Sequence, residues 1–248
     1  MGHVFEDHHH AAVAATPDQV WQAIATGPGV DSWFMGRTDL LPGADGSRST
    51  VFGGYTMDST ITGWDPPARF ALRTGTATDG RFIAYEFLIE GRGGGSTVLR
   101  TVTSGFLPGD DWETEYEAMT LGGTMFFRTL VEYLTHFPDR TAAPVTAFGP
   151  PIANWDHAWS LLHKALGLAL AVSEGDHVHL GAADLPPIHG TVYYVNPQTL
   201  GIRTERALYR FLQGLQGRMI AAHHIFSADP DHRDTEQTWQ AWLDLLYA

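Results

Sequence analysis

Apolar and polar residues alternate along much of the first half of the chain, and this period of two predicts β-strands. The first predicted strand covers residues 3–15, with Phe5 and Val13 on one face. Because the period is two, Asp7 and His9 lie on that same face. Further strands are predicted at 49–52, 55–64, 69–74, 82–90 and 97–106. Turn residues separate them at the spacing of an antiparallel meander.

Two segments of the first half carry helix signals. Thr16 can cap a first helix, Pro17 suits its first position, and Gln19 completes a capping box. A second capping box at 114–117 starts the longest predicted helix, which runs to about residue 137. Gly122-Gly123 inside that helix costs about 1 kcal/mol per Gly relative to Ala, so we expect a strand or a ligand close to it.

The second half resembles a shorter copy of the first. A Pro- and Ala-rich linker is predicted at 138–153, and a helix capped by Asn154 follows it. Strands are predicted at 176–180, 190–195, 200–205, 207–212 and 219–226, before a last helix at 235–246. Residues 195–204 parallel 64–74, which suggests a degenerate repeat. The copy is predicted to lack its first strand, which would expose a sheet edge.

Composition narrows the function classes. The chain has 248 residues and a formal net charge of −13, which disfavours nucleic acids and anionic membranes as partners. It has no cysteine, so disulfides, thiolate catalysis and iron–sulfur clusters are excluded. The longest apolar stretch is too short to span a membrane, and the N-terminus lacks a signal-peptide pattern. We expect a cytoplasmic protein without membrane insertion.

Several short motifs occur in a familiar order. They are ATPDQVWQAI at 15–24, Trp33-Phe34, GWDPPARF at 63–70, GGGSTVL at 93–99, and the helix with Leu130 and Leu134. Together they make residues 1–137 similar to the START-like (SRPBCC) superfamily, in the branch of homologues of the activator of the heat-shock protein 90 ATPase. One position departs from that pattern, because the family often has Gly-Trp where this chain has Gly122-Gly123.

The resemblance implies an α+β helix-grip fold, in which a curved antiparallel sheet surrounds a long C-terminal helix. The implied domains are 1–137, the linker 138–153, and a truncated START-like repeat at 154–248. Relatives often hold a cavity between sheet and helix. The resemblance places the following predicted ligand-binding residues on its walls: Trp33, Phe34, Met57, Trp64, Tyr85, Tyr116, Met119, Gly123 and Phe126. Ordinary core packing is the alternative for each of them.

Few residues suggest acid–base chemistry. Asp7 and His9 can act as a general base with its orienting partner, and Tyr85 can offer a hydroxyl inside an apolar wall. A purely structural pair is the alternative. Arg81 or Arg100 can meet a ligand carboxylate. We expect no cofactor and no metal, although the pairs His177/His179 and His223/His224 have chelating side chains.

Three functions remain open. The first is binding of a small hydrophobic molecule, lipid- or polyketide-like, in the cavity. The second is a cofactor-free cyclase/aromatase or isomerase that uses the same cavity. The third, which the resemblance also implies, is a chaperone-binding or scaffold protein. Homodimerisation through an exposed sheet edge is a further expectation.

Overall fold

The computed structural model describes residues 2–110, 112–169, 171–181, 185–214, 217–227 and 235–248 and contains two antiparallel sheets. The chain divides into two compact units, Met1–Thr141 and Ala142–Ala248. Each unit has one sheet and a few helices. The predicted α+β class is therefore confirmed.

The first unit is built on a seven-stranded sheet with the order β1-β7-β6-β5-β4-β3-β2. Its strands are β1 (His3–Val13), β2 (Arg37–Leu41), β3 (Ser47–Phe52), β4 (Tyr55–Asp65), β5 (Arg69–Thr74), β6 (Phe82–Arg92) and β7 (Ser96–Leu107). All neighbours are antiparallel, and the first strand pairs with the last. The predicted strands are present, but β2 was not among them. Its only buried side chain is Thr38, so it carries no apolar alternation that would mark a strand.

Three helices accompany this sheet: α1 (Pro17–Ala25), α2 (Gly27–Val30) and α3 (Trp112–His136). The predicted capping box at α1 is confirmed, because the backbone N–H of Gln19 donates to Thr16 Oγ1 while Gln19 Oε1 accepts from the N–H of Thr16. The helix α3 has 25 residues and begins at Trp112, two residues before the predicted capping residue Thr114.

The long helix contacts opposite ends of the strand order. Phe127 stacks on His9 of β1 with ring centroids 5.2 Å apart. The adjacent Phe126 packs on Phe34, in the segment between α2 and β2, with centroids 4.3 Å apart. Because β1 and β2 are the two edges of the sheet, the sheet wraps around α3. The predicted helix-grip arrangement is confirmed.

The second unit is built on a six-stranded sheet with the order β8-β13-β12-β11-β10-β9. Its strands are β8 (Ala143–Pro151), β9 (His177–Leu180), β10 (Ile188–Asn196), β11 (Thr199–Arg203), β12 (Ala207–Gln213) and β13 (Arg218–Ile225). The helix α4 (Trp155–Ala165) follows β8, and α5 (Glu236–Leu246) is the last element.

Both sheets have the same topology. In each, the first strand pairs with the last, and the remaining strands follow in reverse order. The second sheet therefore repeats the first with one strand fewer. The missing strand is one of the two that precede β4 in the first unit, since only β9 lies between α4 and β10.

The segment 138–153 differs from the predicted linker. Residues Ala143–Pro151 form β8, which is the first strand of the repeat, so the prediction that the repeat lacks this strand was wrong. The prolines at 144, 150 and 151 suggested a linker. They are tolerated here because β8 is an edge strand, where a missing backbone N–H breaks no ladder on the open side.

The interior beneath α5 is filled with side chains. Trp239 is fully buried, and its ring lies 4.2 Å from that of His223 and 5.9 Å from that of Phe211. Leu243, one turn further along α5, is also fully buried. The second unit thus has an ordinary packed core between its helix and its sheet.

The helices of the described chain include none with the length and apolar character needed to cross a membrane.

Candidate functional site

The two halves of α3 differ in burial. Within residues 112–124 of the described chain no side chain is buried, whereas residues 125–134 contribute six buried ones. A methyl group built on Gly122 would meet no atom within 4 Å. The first half of α3 is therefore less enclosed than its second half. We call the region between the first half of α3 and the inner face of the sheet the α3 cleft.

Strand register identifies the side chains beneath the helix. Tyr85 on β6 pairs with Leu72 on β5 and with Thr103 on β7, and Thr103 pairs with Asp7 on β1. Cross-strand partners share one face of a sheet, so these four side chains form a row across its inner face. Asp7 and Tyr85, which were predicted from different strands, are thus at the same level of the α3 cleft.

The start of α3 is attached to the sheet by three contacts. Trp112 stacks on His3 with ring centroids 3.8 Å apart, and Tyr116 meets Phe5 edge-on at 5.7 Å. Glu115 forms an ion pair with Arg81. These contacts hold the start of the helix over the sheet.

The neighbouring residues Asp7 and His9 form a close pair on β1. His9 Nε2 lies 3.1 Å from Asp7 Oδ2, and the side chains are 17% and 21% exposed. A Cβ on Gly123 would lie 3.8 Å from Asp7 Oδ2 and 3.9 Å from His9 Nε2. Gly123 has no side chain, so α3 places no side-chain atom over the pair at this position.

Arg48 on β3 is the residue that sequence reasoning missed. Its side chain is 4% exposed, and its guanidinium carbon lies 5.8 Å from the centre of the Phe34 ring. The predicted strand began at residue 49 and left Arg48 just outside it. The available signal was its period-two phase with Thr50 and Phe52, which places it on the inner face.

Burial shifts the ionisation of two groups in the α3 cleft. Enclosure raises the pKa of Tyr85, and the positive charge of Arg48 partly opposes that shift. Enclosure lowers the pKa of Arg48, with Tyr85 acting in the opposite direction. Tyr85 is therefore a neutral phenol at physiological pH, and Arg48 remains a cation because an arginine keeps its proton in proteins.

Most of the predicted ligand-binding residues lie around the α3 cleft. Phe34 and Phe126 pack on each other, Met57 pairs with Thr50 on the inner face, and Met119 is a half-buried residue one turn before Gly123. The binding role of these residues, together with that of Tyr85, Tyr116 and Gly123, stays a prediction.

Two of the predicted ligand-binding residues have packing partners elsewhere. Trp33 is 4% exposed, and its Nε1–H donates to the carbonyl of Ala23 at 2.9 Å. Trp64 meets the Trp21 ring of α1 edge-on at 5.0 Å. Both indoles connect the short helices to the sheet, and the α3 cleft lies beyond them.

Neither arginine proposed as a carboxylate partner faces the α3 cleft freely. Arg81 is engaged by Glu115 and lies 3.5 Å from Asp79. Arg100 is 58% exposed and lies 3.9 Å from Glu90. Arg48 is the buried cation instead.

The histidine pairs of the second unit are arranged differently from the predicted chelating pairs. His179 meets His189 across the β9–β10 ladder, with their Nδ1 atoms 2.9 Å apart. His223 faces Trp239, whereas His224 lies 2.8 Å from the Arg210 guanidinium. Among the residues that the structure describes, no three His, Asp or Glu side chains are grouped as a metal site would require.

Together, the wrapped sheet and the long helix define an α+β protein of the helix-grip type. No family model and no curated protein matches the chain. Solved structures do resemble it. Protein MLL2253 from Mesorhizobium loti is 19% identical over 52% of this chain and 96% of its own, with a TM-score of 0.46.

Two further solved structures resemble the chain over different lengths. The Aha1 dimer from Colwellia psychrerythraea is 20% identical over 52% of this chain and 96% of its own, with a TM-score of 0.42. The di-domain ARO/CYC protein BexL is 13% identical over 90% of this chain and 85% of its own, with a TM-score of 0.46.

Proposed function

We propose that the first unit binds a small hydrophobic ligand, lipid- or polyketide-like, in the α3 cleft. The observation that supports this most directly is the contrast between the two units. The same topology occurs twice, but α5 buries Trp239 and Leu243 completely, whereas no described side chain in the first half of α3 is buried. A long helix that is only partly enclosed over a concave sheet leaves room for a ligand.

The composition of the α3 cleft fits an apolar ligand with one or two polar groups. Phe34, Phe126 and Met57 supply apolar surface, and Tyr85 and the Asp7–His9 pair supply the polar groups. Such sites are mostly hydrophobic, and a small number of polar groups fixes the orientation of the ligand.

Filling the α3 cleft tests this proposal. The variant Gly123→Trp places an indole over Asp7 and His9, where the Cβ position is free of clashes. We expect it to weaken binding of the neutral dye Nile red at least about tenfold, as measured by fluorescence titration. The matched control is Gly93→Trp, in the exposed β6–β7 turn, where an added side chain also meets no atom within 4 Å.

Native mass spectrometry of the protein from its own host provides an independent test. A small adduct that leaves on denaturation supports the proposal, and its formula separates a lipid from a polyketide. The proposal fails if the protein carries no adduct and also binds no Nile red.

A second candidate function is a cofactor-free cyclase/aromatase or isomerase, which the Asp7–His9 pair favours. A neutral His9 can take a proton from a ligand carbon next to a carbonyl group, and the Asp7 carboxylate stabilises the imidazolium that results. Tyr85 lies at the same level, two strands away, and is a neutral donor for the carbonyl oxygen.

Deuterium exchange distinguishes an enzyme from a protein that binds its ligand without changing it. In D₂O, the purified protein should introduce deuterium into its own ligand at such a carbon if His9 acts as a base. His9→Gln should then lower the exchange rate about 100-fold or more while the ligand stays bound. Equal exchange in the wild type and in His9→Gln would rule this candidate out.

A further inference from the structure

A buried cation without an ionic partner lies in the α3 cleft. The Arg48 side chain is 4% exposed, and no ion pair or hydrogen bond joins its guanidinium to another of the described residues. Its Nε is enclosed and has no hydrogen-bond partner. A desolvated charge in this state is costly, so its surroundings should contain a compensating group when the protein works.

Hydroxyl groups accompany this cation on the neighbouring strands. Ser59 on β4 pairs directly with Arg48, and its buried Oγ also has no partner in the described chain. Tyr85 is close enough for Arg48 to affect its ionisation, and no hydrogen bond engages its hydroxyl within the described residues. The inner face therefore presents one positive charge and two uncommitted hydroxyl groups beside an aromatic wall.

One cation beside two hydroxyl groups favours a carboxylate on the ligand. A guanidinium matches a carboxylate in geometry and charge, and hydroxyl donors can complete the solvation of the carboxylate oxygens. A phosphate would bring about two negative charges against a single arginine, in a protein whose formal net charge is already −13. A carboxylate balances the site with one charge.

We propose that the ligand of the α3 cleft is an apolar molecule that carries a carboxylate, and that Arg48 binds this carboxylate with help from the Ser59 and Tyr85 hydroxyls. This inference rests on the proposed ligand-binding function and adds a ligand class to it. The apolar part of the ligand lies along Phe34 and Phe126, which connect Arg48 to α3.

A pair of probes that differ only in the end group tests the inference. Decanoate and decanol displace bound Nile red from the full-length protein at pH 8, where the acid is ionised. We expect decanoate to compete at least about tenfold better than decanol in the wild type. Arg48→Met keeps an unbranched stem and removes the charge, so it should abolish this preference and leave decanol competition within about twofold.

The matched control is Arg100→Met, which removes an exposed arginine from the other face of the sheet and should keep the decanoate preference. Circular dichroism and thermal melting verify that each variant is folded. If Arg48→Met does not fold, the wild-type comparison of the two probes still decides, because equal competition by acid and alcohol overturns the inference.

The outcomes separate this inference from the function on which it rests. Equal competition by both probes, or a preference that survives Arg48→Met, overturns the carboxylate assignment and leaves ligand binding standing. Nile red that neither probe displaces also counts against the assignment. Failure of the protein to bind Nile red, together with the absence of an adduct in native mass spectra, overturns the proposed function itself.

Discussion

At the scale of single residues, buried polar groups determine how the protein responds to a ligand and to pH. Arg48 and His223 both lie on inner sheet faces, but their surroundings differ. Arg48 lies beside an open space, and His223 is enclosed by the rings of Trp239, Tyr209 and Phe211. The first can be satisfied by a ligand, whereas the second must stay neutral for the core to hold.

His223 predicts a loss of stability in mild acid. Burial, and then the charge of Arg210, lower its pKa well below 6.5. Below about pH 6.5 the unfolded chain therefore takes up a proton that the folded chain refuses. We expect the free energy of unfolding to fall by up to about 1.4 kcal/mol per pH unit as the pH drops below 6.5.

Urea unfolding between pH 8 and pH 5 measures this slope. His223→Gln should flatten it, because glutamine does not titrate. His8→Gln is the control, since His8 lies on the exposed face of β1 and its loss should leave the slope unchanged. If the slope is the same in His223→Gln as in the wild type, groups other than His223 cause the loss of stability.

Sequence reasoning predicted some of these residues and missed others. The period of two placed Asp7 and His9 on the inner face with Phe5, and the structure agrees. Arg48 was missed because a charged residue is rarely buried, so a sequence pattern assigns it to the surface or to a turn. Its phase with Thr50 was the one local signal, and the pairing with Ser59 in the folded sheet shows that it lies inside.

At the scale of elements, a glycine in the first half of α3 lowers the stability of that helix. Gly122 has the backbone of a helix interior, but a Cβ there would meet no atom within 4 Å. Gly122→Ala should therefore raise the free energy of unfolding by about 0.5–1 kcal/mol, because alanine loses less backbone entropy in a helix.

Chemical denaturation measures this gain. Gly105→Ala is the contrasting variant, because its Cβ would overlap the carbonyl oxygen of Phe82 and should destabilise the protein. A loss of stability in Gly122→Ala would mean that the position is more crowded than the structure indicates.

The elements that carry strong periodic signals were predictable, and the two that lack them were not. The strand β2 has a single buried side chain, and β8 contains prolines at 144, 150 and 151. Their strand conformation comes from pairing with β3 and β13, which are non-local contacts that a local pattern does not contain.

At the scale of the whole molecule, one topology supports two different interiors. In the second unit the helix α5 has 11 residues and inserts Trp239 into a packed core, whereas no described side chain in the first half of α3 is buried. The resemblance predicted the repeated architecture. It could not predict which copy is filled, because that depends on a few large side chains.

Removing the Trp239 side chain should therefore be far more costly than removing an aromatic ring near the α3 cleft. We expect Trp239→Ala to lower the free energy of unfolding by about 3–5 kcal/mol, since it empties a packed core. Trp112→Ala should cost less, because Trp112 is only partly buried. Calorimetry of both variants measures the difference, and similar melting temperatures would contradict it.

The pairing of the first strand with the last has a consequence for the time at which the protein can fold. His3 pairs with Leu107, and Ala143 pairs with Ile225, so each sheet joins the beginning of its unit to a strand made much later. During synthesis from the N-terminus, β1 has to wait for β7 to leave the ribosome before it gains its partner. Such distant contacts also slow folding, since a long loop must close before they form. The inner face of β1, with Phe5 and Val13, is thus unprotected in the newborn chain for most of the synthesis of the first unit.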